Sequence, residues 1–550
     1  MTRHLAKRNR RQETGNRQPA TGSRAAPRAH RPVSRLQLLV ARLLPPVSFR
    51  PRQPPLPPRA SAPVASRLSP VACRLSPVPP STSPSRKRSP HPGRAIPLTI
   101  LLLLLTLPGQ PRAGGLDLDL QGARAISHAG ATTVSGESGA ALITNPAGLA
   151  RSSSLRVQLG VALHDDDASF RAPDAGAQDS PTVADRSEPV LAPSGAIHGA
   201  LGPVVVGAAV LELGHLDRLL PAPAYGQTDE DVARLFPHRY GGLELRYRRR
   251  VAVAGAAMRI GEWLGAGASI GASDVELGER RRIWAGFADR DQLAYPTRDL
   301  DLALSGRDHM VPFASAGVLV APPSLPIEIG AAVSGSADAH LDGDVALAST
   351  AGHPFPEPRS GGEPAAALHL GMPATLRGGA RYVGDRLLVE VGADLTWYRA
   401  SGKIPVWHTT GASVRDDTGQ TAEMGDVPSL VALRDHTALR GAVDVEVVPG
   451  LLWLTAGYAH ASGGTALSRL SPAFGDIAGH TISLGAEGTW NQITFDLGIA
   501  RRLSPSVDVA AGDSDVEVEN PFRKGTASAG AGRHGRAHDA VGLTVEVAWE

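Results

Sequence analysis

The chain has 550 residues and is 42% hydrophobic but only 4% aromatic, with 61 glycines and a formal net charge of +3. That charge is uneven: before Asp117 the only acidic residue is Glu13, set against many arginines, so the rest of the chain is acidic on balance. The basic arm therefore does not mark a nucleic-acid binder. The single cysteine, Cys73, lies in that arm, which excludes a disulfide framework or a Cys-ligated metal in the body of the chain and fits an oxidising envelope compartment.

Residues 1–84 are rich in Arg, Pro and Ser, as in PRQPPLPPR at 51–59, a composition that buries too little apolar area to order itself. The segment reads as a disordered extension, either a functional basic tail or sequence upstream of the true start, with Val78 as one candidate start codon. Residues 85–113 read as a signal peptide. Arg86, Lys87, Arg88 and Arg94 form its charged region, Ile96 to Leu107 its apolar run, and Ala113 a small residue for cleavage. The apolar run is too short to span a bilayer as a helix. The mature chain is expected to begin near Gly114.

Beyond it no long apolar stretch follows, and period-two alternation takes over. After ALITNPAGLARSSS at 141–154 come Leu155, Val157, Leu159, Val161 and Leu163 at every second position. In 387–398, Leu387, Val389, Val391, Leu395 and Trp397 share one face, and Glu390, Asp394 and Thr396 the other. In 436–448, Leu439, Val443, Val445 and Val447 alternate with Arg440, Asp444 and Glu446. Val445 is thus predicted to face lipid, and Asp444 a lumen where charge is tolerated.

About fourteen strands are predicted, at 154–164, 193–201, 203–213, 245–259, 263–277, 311–320, 326–337, 375–383, 387–399, 436–448, 451–461, 478–488, 492–502 and 539–549. Short turns such as Gly202-Pro203, Gly261-Glu262 and Pro449-Gly450 alternate with long polar loops at 165–192, 214–244, 278–310, 338–374, 400–435, 462–477 and 503–538. An even strand count, with short turns and both termini on one side, is the pattern of an outer-membrane β-barrel. Closure leaves no strand edge unpaired in lipid.

The segment QGARAISHAGATTVSGESGAALITNPAGLA at 121–150 resembles the N-terminal signature of the FadL/TodX outer-membrane transporters of hydrophobic compounds. So do PATLRGGARYVGDRLLVEVGADLTWY at 373–398, LWLTAGYAHASG at 452–463 and SPAFGDIAGHTISLGAEGTW at 471–490. The resemblance implies a transmembrane, fourteen-stranded antiparallel barrel over 154–550. Residues 114–153 would fold into its lumen as a hatch, with Asn145 capping a turn that Pro146 and Ala147 begin. It also implies passive uptake of hydrophobic small molecules such as long-chain fatty acids, without a cofactor, by a monomer that touches outer-membrane lipid and lipopolysaccharide. The family often has paired Asp before the Asn-Pro motif, where this chain has Glu137 alone.

Enzyme chemistry finds no support. HExxH and P-loop motifs are absent, and His128, His198, His309, His460 and His480 show no ligand spacing. These histidines read as solvated lumen or loop groups. Asp165-Asp166-Asp167 and DSDVEVEN at 513–520 read as solvated acidic loops, the first with a possible cation role. Besides transport, two classes stay open: an assembly barrel of the same fold without a substrate, and a barrel enzyme with a site at its rim.

Overall fold

The computed structural model describes residues 120–550 apart from 137, 175–178, 223–232, 287–291, 294, 351–355, 526 and 550. The extension, the signal peptide, Cys73, Val78 and Glu137 lie outside the described residues.

The strands in chain order are β1 (Leu155–Arg171), β2 (Thr182–Ala184), β3 (Val190–Leu201), β4 (Val204–Leu219), β5 (Glu244–Ile260), β6 (Leu264–Trp284) and β7 (Asp299–Val320). Then follow β8 (Ile327–Ser336), β9 (Ala339–Ser349), β10 (Glu357–Leu370), β11 (Pro373–Val383), β12 (Leu387–Tyr398), β13 (Val406–Arg415), β14 (Thr421–Glu423) and β15 (Asp426–Pro428). The last are β16 (His436–Val448), β17 (Leu452–Ala461), β18 (Gly479–Trp490), β19 (Ile493–Leu503), β20 (Val507–Val509) and β21 (Gly532–Trp549).

Fourteen of them close the barrel: β1, β3 to β8, β11, β12, β16 to β19 and β21, each antiparallel to the next. β21 pairs with β1 from Leu155↔Trp549 to Arg171↔Arg533 and seals the ring. All fourteen predicted strands are present. The tight turns sit where expected, with Gly202, Gly261, Gly450 and Asn491 at positive φ. Such φ values suit the short hairpins that connect twisted strands.

Two loop readings need correction. Residues 338–374 and 400–435 are not simply polar loops, because they contain β9, β10 and β13, which extend the sheet from β7 above the ring. Asp165–Asp167 are not a loop either. β1 runs on through them, and Asp166 is held by Arg536 at 2.9 Å and Arg218 at 3.1 Å. A charge buried with two guanidiniums can stay in a ladder that sequence alone would end there.

The outward face carries the apolar residues. Leu159, Ile197, Ile270, Ile482, Leu484 and Leu543 are exposed large hydrophobics that alternate with inward polar groups. Trp263, Trp490 and Trp549 are exposed on the short-turn side. There they form the aromatic girdle of a membrane interface.

Candidate luminal site

The chain between Leu120 and Ser154 lies in the lumen, since its side chains and backbone contact the inner faces of strands all around the ring. It contains a helix (Gly122–Ser127), a short helix (Ala141–Thr144) and a 3-10 turn (Pro146–Arg151). Asn145 is the N-cap of that turn and Pro146 its first residue. The Asn145 Oδ1 accepts from Ala147 N at 3.2 Å, while Nδ2 donates to the carbonyls of Thr133 at 2.8 Å and Val318 at 3.3 Å. One side chain therefore fixes the turn, ties it to the preceding loop and docks it on β7. The wall makes room for it: a Cβ at Gly317 would come 2.0 Å from Asn145 Oδ1, and one at Gly267 would meet the Pro146 carbonyl carbon at 2.5 Å.

Charged wall residues hold the rest of the segment. Glu390 accepts from Val134 N at 2.8 Å and Ser135 N at 3.0 Å. Asp444 binds His128 at 3.0 Å and accepts from Thr455 Oγ1 at 2.7 Å. Glu487 pairs with Arg124 at 2.7 Å. Arg440 donates to the Ala129 carbonyl at 3.0 Å and to Asp394 at 2.8 Å. Sequence alternation placed Glu390, Asp394, Arg440 and Asp444 on the inner face, but it could not show what they bind. His128 departs from the solvated reading, since it is 3% exposed. Among the described residues no group of three or more His, Cys, Asp or Glu side chains could hold a metal ion.

A cavity of about 70 Å³ lies between the segment and the wall. That is room for a few waters or a headgroup, not for a whole lipid. Leu211, Leu213 and Phe313 give it an apolar side. Among the described residues its charged lining is Arg124, Arg249, Arg377, Arg440 and Asp394. Arg377 donates to Ser334 Oγ at 2.7 Å, and Arg249 to Ser336 Oγ at 2.6 Å. Glu328, Glu390, Glu487, Asp496 and Glu546 sit within four residues of the short-turn ends of their strands, where Glu328 pairs with Arg151, Glu487 with Arg124 and Glu546 with Arg156; Arg249, Arg377 and Arg440 stand further toward the loops.

On the loop side the interior is filled by apolar side chains, including Leu277, Leu302, Leu341, Trp407, Val431 and Phe474. The buried Glu279 anchors the loop that supplies Val431, accepting from Leu430 N at 2.9 Å and from Ser429 Oγ. Burial pushes the Glu279 carboxyl up, against the pull of Arg281. Arg239 pairs with Asp299 at 2.9 Å with both side chains fully buried. Of the acidic stretch at 513–520, Val518 does not follow the solvated reading but packs on Tyr240 and Trp284.

The same cap holds a proton-sensitive residue. His238 is buried, and desolvation lowers its pKa from 6.5 to about 4 although the Pro221 carbonyl, 3.0 Å from Nε2, favours the charged form. The opened loop therefore binds a proton near pH 6.5 that the folded loop refuses until about pH 4. Stability present above pH 6.5 is lost as pH falls through this window, up to about 3 kcal/mol. Hydrogen exchange of residues 238–243 should accelerate between pH 6.5 and 4, after correction for intrinsic rates. His238→Gln, which cannot titrate, should lose this dependence.

No family model and no curated protein matches the sequence. Solved structures do match the fold. A Pseudomonas aeruginosa FadL homologue superimposes with a TM-score of 0.61 at 14% identity, covering 80% of this chain and 100% of that one. The Pseudomonas putida toluene transporter TodX gives 0.57 at 14% identity, with the same coverage. The Ralstonia pickettii toluene transporter TbuX gives 0.50 at 13% identity, covering 75% and 94%. At such identity the likeness is one of fold, and that fold is the FadL/TodX barrel.

Proposed function

We propose that this chain is an outer-membrane transporter of the FadL/TodX type, taking up hydrophobic compounds, with long-chain fatty acids as its substrates. The short turns face the periplasm and the long loops the exterior. No enzymatic step is assigned to it. The luminal segment is the gate, with Asn145, Pro146 and Ala147 as its hinge on the wall. Transport is passive: a ligand enters from the apolar loop-side interior, reaches the segment, and passes once the segment shifts.

The observation that carries the substrate class is the cavity against the segment. Among the described residues, four arginines and one aspartate line it beside Leu211, Leu213 and Phe313. A carboxylate on an apolar chain suits both surfaces at once, and guanidiniums in a low-dielectric lumen favour it strongly. The test is uptake into liposomes of a long-chain carboxylate and of the matching neutral alcohol. Arg377→Gln should lower carboxylate uptake about tenfold, the loss of roughly one charge-assisted hydrogen bond, and leave the alcohol unchanged. An equal effect on both would remove the fatty-acid assignment.

A further inference from the structure

The outer surface of β4 to β7 carries a feature that transport does not use. On β5 the outward positions are Ala252, Ala254, Ala256, Met258 and Ile260 toward the short turns, then Arg250, Arg248 and Arg246 toward the loops. The switch from alkyl to guanidinium occurs in one step, at the depth where the apolar belt ends. Neighbouring strands continue the row. Register places Glu212 beside Arg250 on one side and Asp274 on the other, and Arg248 opposite Glu276, which in turn faces Arg307.

The side chains form a checkerboard of opposite charges. Glu212 lies 3.4 Å from Arg250 and 3.5 Å from Arg248. Arg246 lies 3.5 Å from Asp217, and Arg307 2.7 Å from Asp274. The arginines remain open to the outside, with side chains 66% (Arg246), 36% (Arg248), 43% (Arg250) and 46% (Arg307) exposed. Glu212 is buried beneath Arg248 and Arg250, at 2% exposure, whereas the exposed pairs of Arg246 with Asp217 and Arg307 with Asp274 contribute little to stability. β6 and β7 are also the longest strands, at 21 and 22 residues, and with β5 they raise this face well above a bilayer span of about 9–11 residues.

We propose that this face of β4 to β7 binds the phosphorylated headgroups of lipopolysaccharide together with their bridging divalent cations. The inference rests on the outer-membrane reading above. The outer leaflet presents, at this depth, a lattice of phosphates joined by divalent cations. Arginines meet the phosphates with forked hydrogen bonds, and the accessible carboxylates Asp217, Asp274 and Glu276 take the cations by their oxygens. A near-neutral checkerboard complements such a lattice better than a purely basic patch. Because the row lies on rigid strands, it fixes the depth and tilt of one side of the barrel.

The experiment measures binding of fluorescent lipopolysaccharide to the detergent-purified full chain with magnesium present. The expected result is at least about a tenfold loss for the triple variant Arg246→Gln, Arg248→Gln, Arg250→Gln. Wild-type protein should show a similar loss with dephosphorylated lipopolysaccharide or with chelator. Wild-type binding that ignores both phosphate removal and chelation overturns the proposal whether or not the triple variant folds. A folded triple variant that binds as the wild type also overturns it. Liposomes of phospholipid alone supply the second readout. Wild-type and triple variant should take up the long-chain probe there equally, so a failure of lipopolysaccharide binding with uptake intact refutes this surface and leaves transport standing.

Discussion

Removing residues 121–142 should make a closed barrel leak. No ladder of the fourteen-stranded ring includes these residues, so every strand pairing survives their loss. What disappears is the helix Gly122–Ser127, the partners of Asp444, Glu487 and Glu390, and the Leu142 contact with the wall. The freed wall charges then face water in the pore, where an unpaired carboxylate costs little compared with a dry interior. The expected outcome is normal, heat-modifiable insertion with conductance in planar bilayers rising above that of wild type, limited by the apolar loop-side filling that stays in place. Asn145→Ala should give a milder version. It removes the cap and the tie to Val318, worth roughly 1–3 kcal/mol, which is small for the barrel but large for a segment poised between two seats. Brief openings of a mostly closed channel are expected. If both variants insert and conduct like wild type, the segment is not a gate.

Charge on the lipid side of β16 should be costly in a depth-dependent way. Val443 lies mid-way along the outward row from Leu439 to Val447, and Val445 one step toward the short turn. Val443→Arg should therefore cost about 2–4 kcal/mol of insertion free energy, and Val445→Arg less. Glu446→Arg, on the luminal row near the turn, should insert as wild type after losing its bond to Gly450 N. Asp444→Arg was the natural luminal control from alternation alone, but the structure changes its meaning. Asp444 anchors His128, so that variant should insert yet unseat the segment. Urea titration of the folded barrel in lipid, read by tryptophan fluorescence, gives the order. Equal costs at positions 443 and 446 would mean that the strand register is wrong.

The sequence by itself determined the barrel. Alternation is a local property: in a strand each residue's face follows from its neighbours, so lipid-facing Leu439 and luminal Arg440 could be assigned without knowing any partner. The tight turns were legible for the same reason, as with Gly202, Gly261 and Gly450, whose positive φ few other residues tolerate. The Asn145-Pro146 cap is likewise a contact between near neighbours. Only the tertiary structure decided what those faces do. β9, β10 and β13 were hidden in polar segments because they cover a loop-side core through long-range pairing rather than crossing lipid. Asp166 looked solvated because its arginine partner Arg536 is 370 residues away. The arginine-lined cavity joins Arg124, Arg249, Arg377 and Arg440, which meet only when the ring closes around the segment. Closure is a global constraint, and no window of sequence contains it.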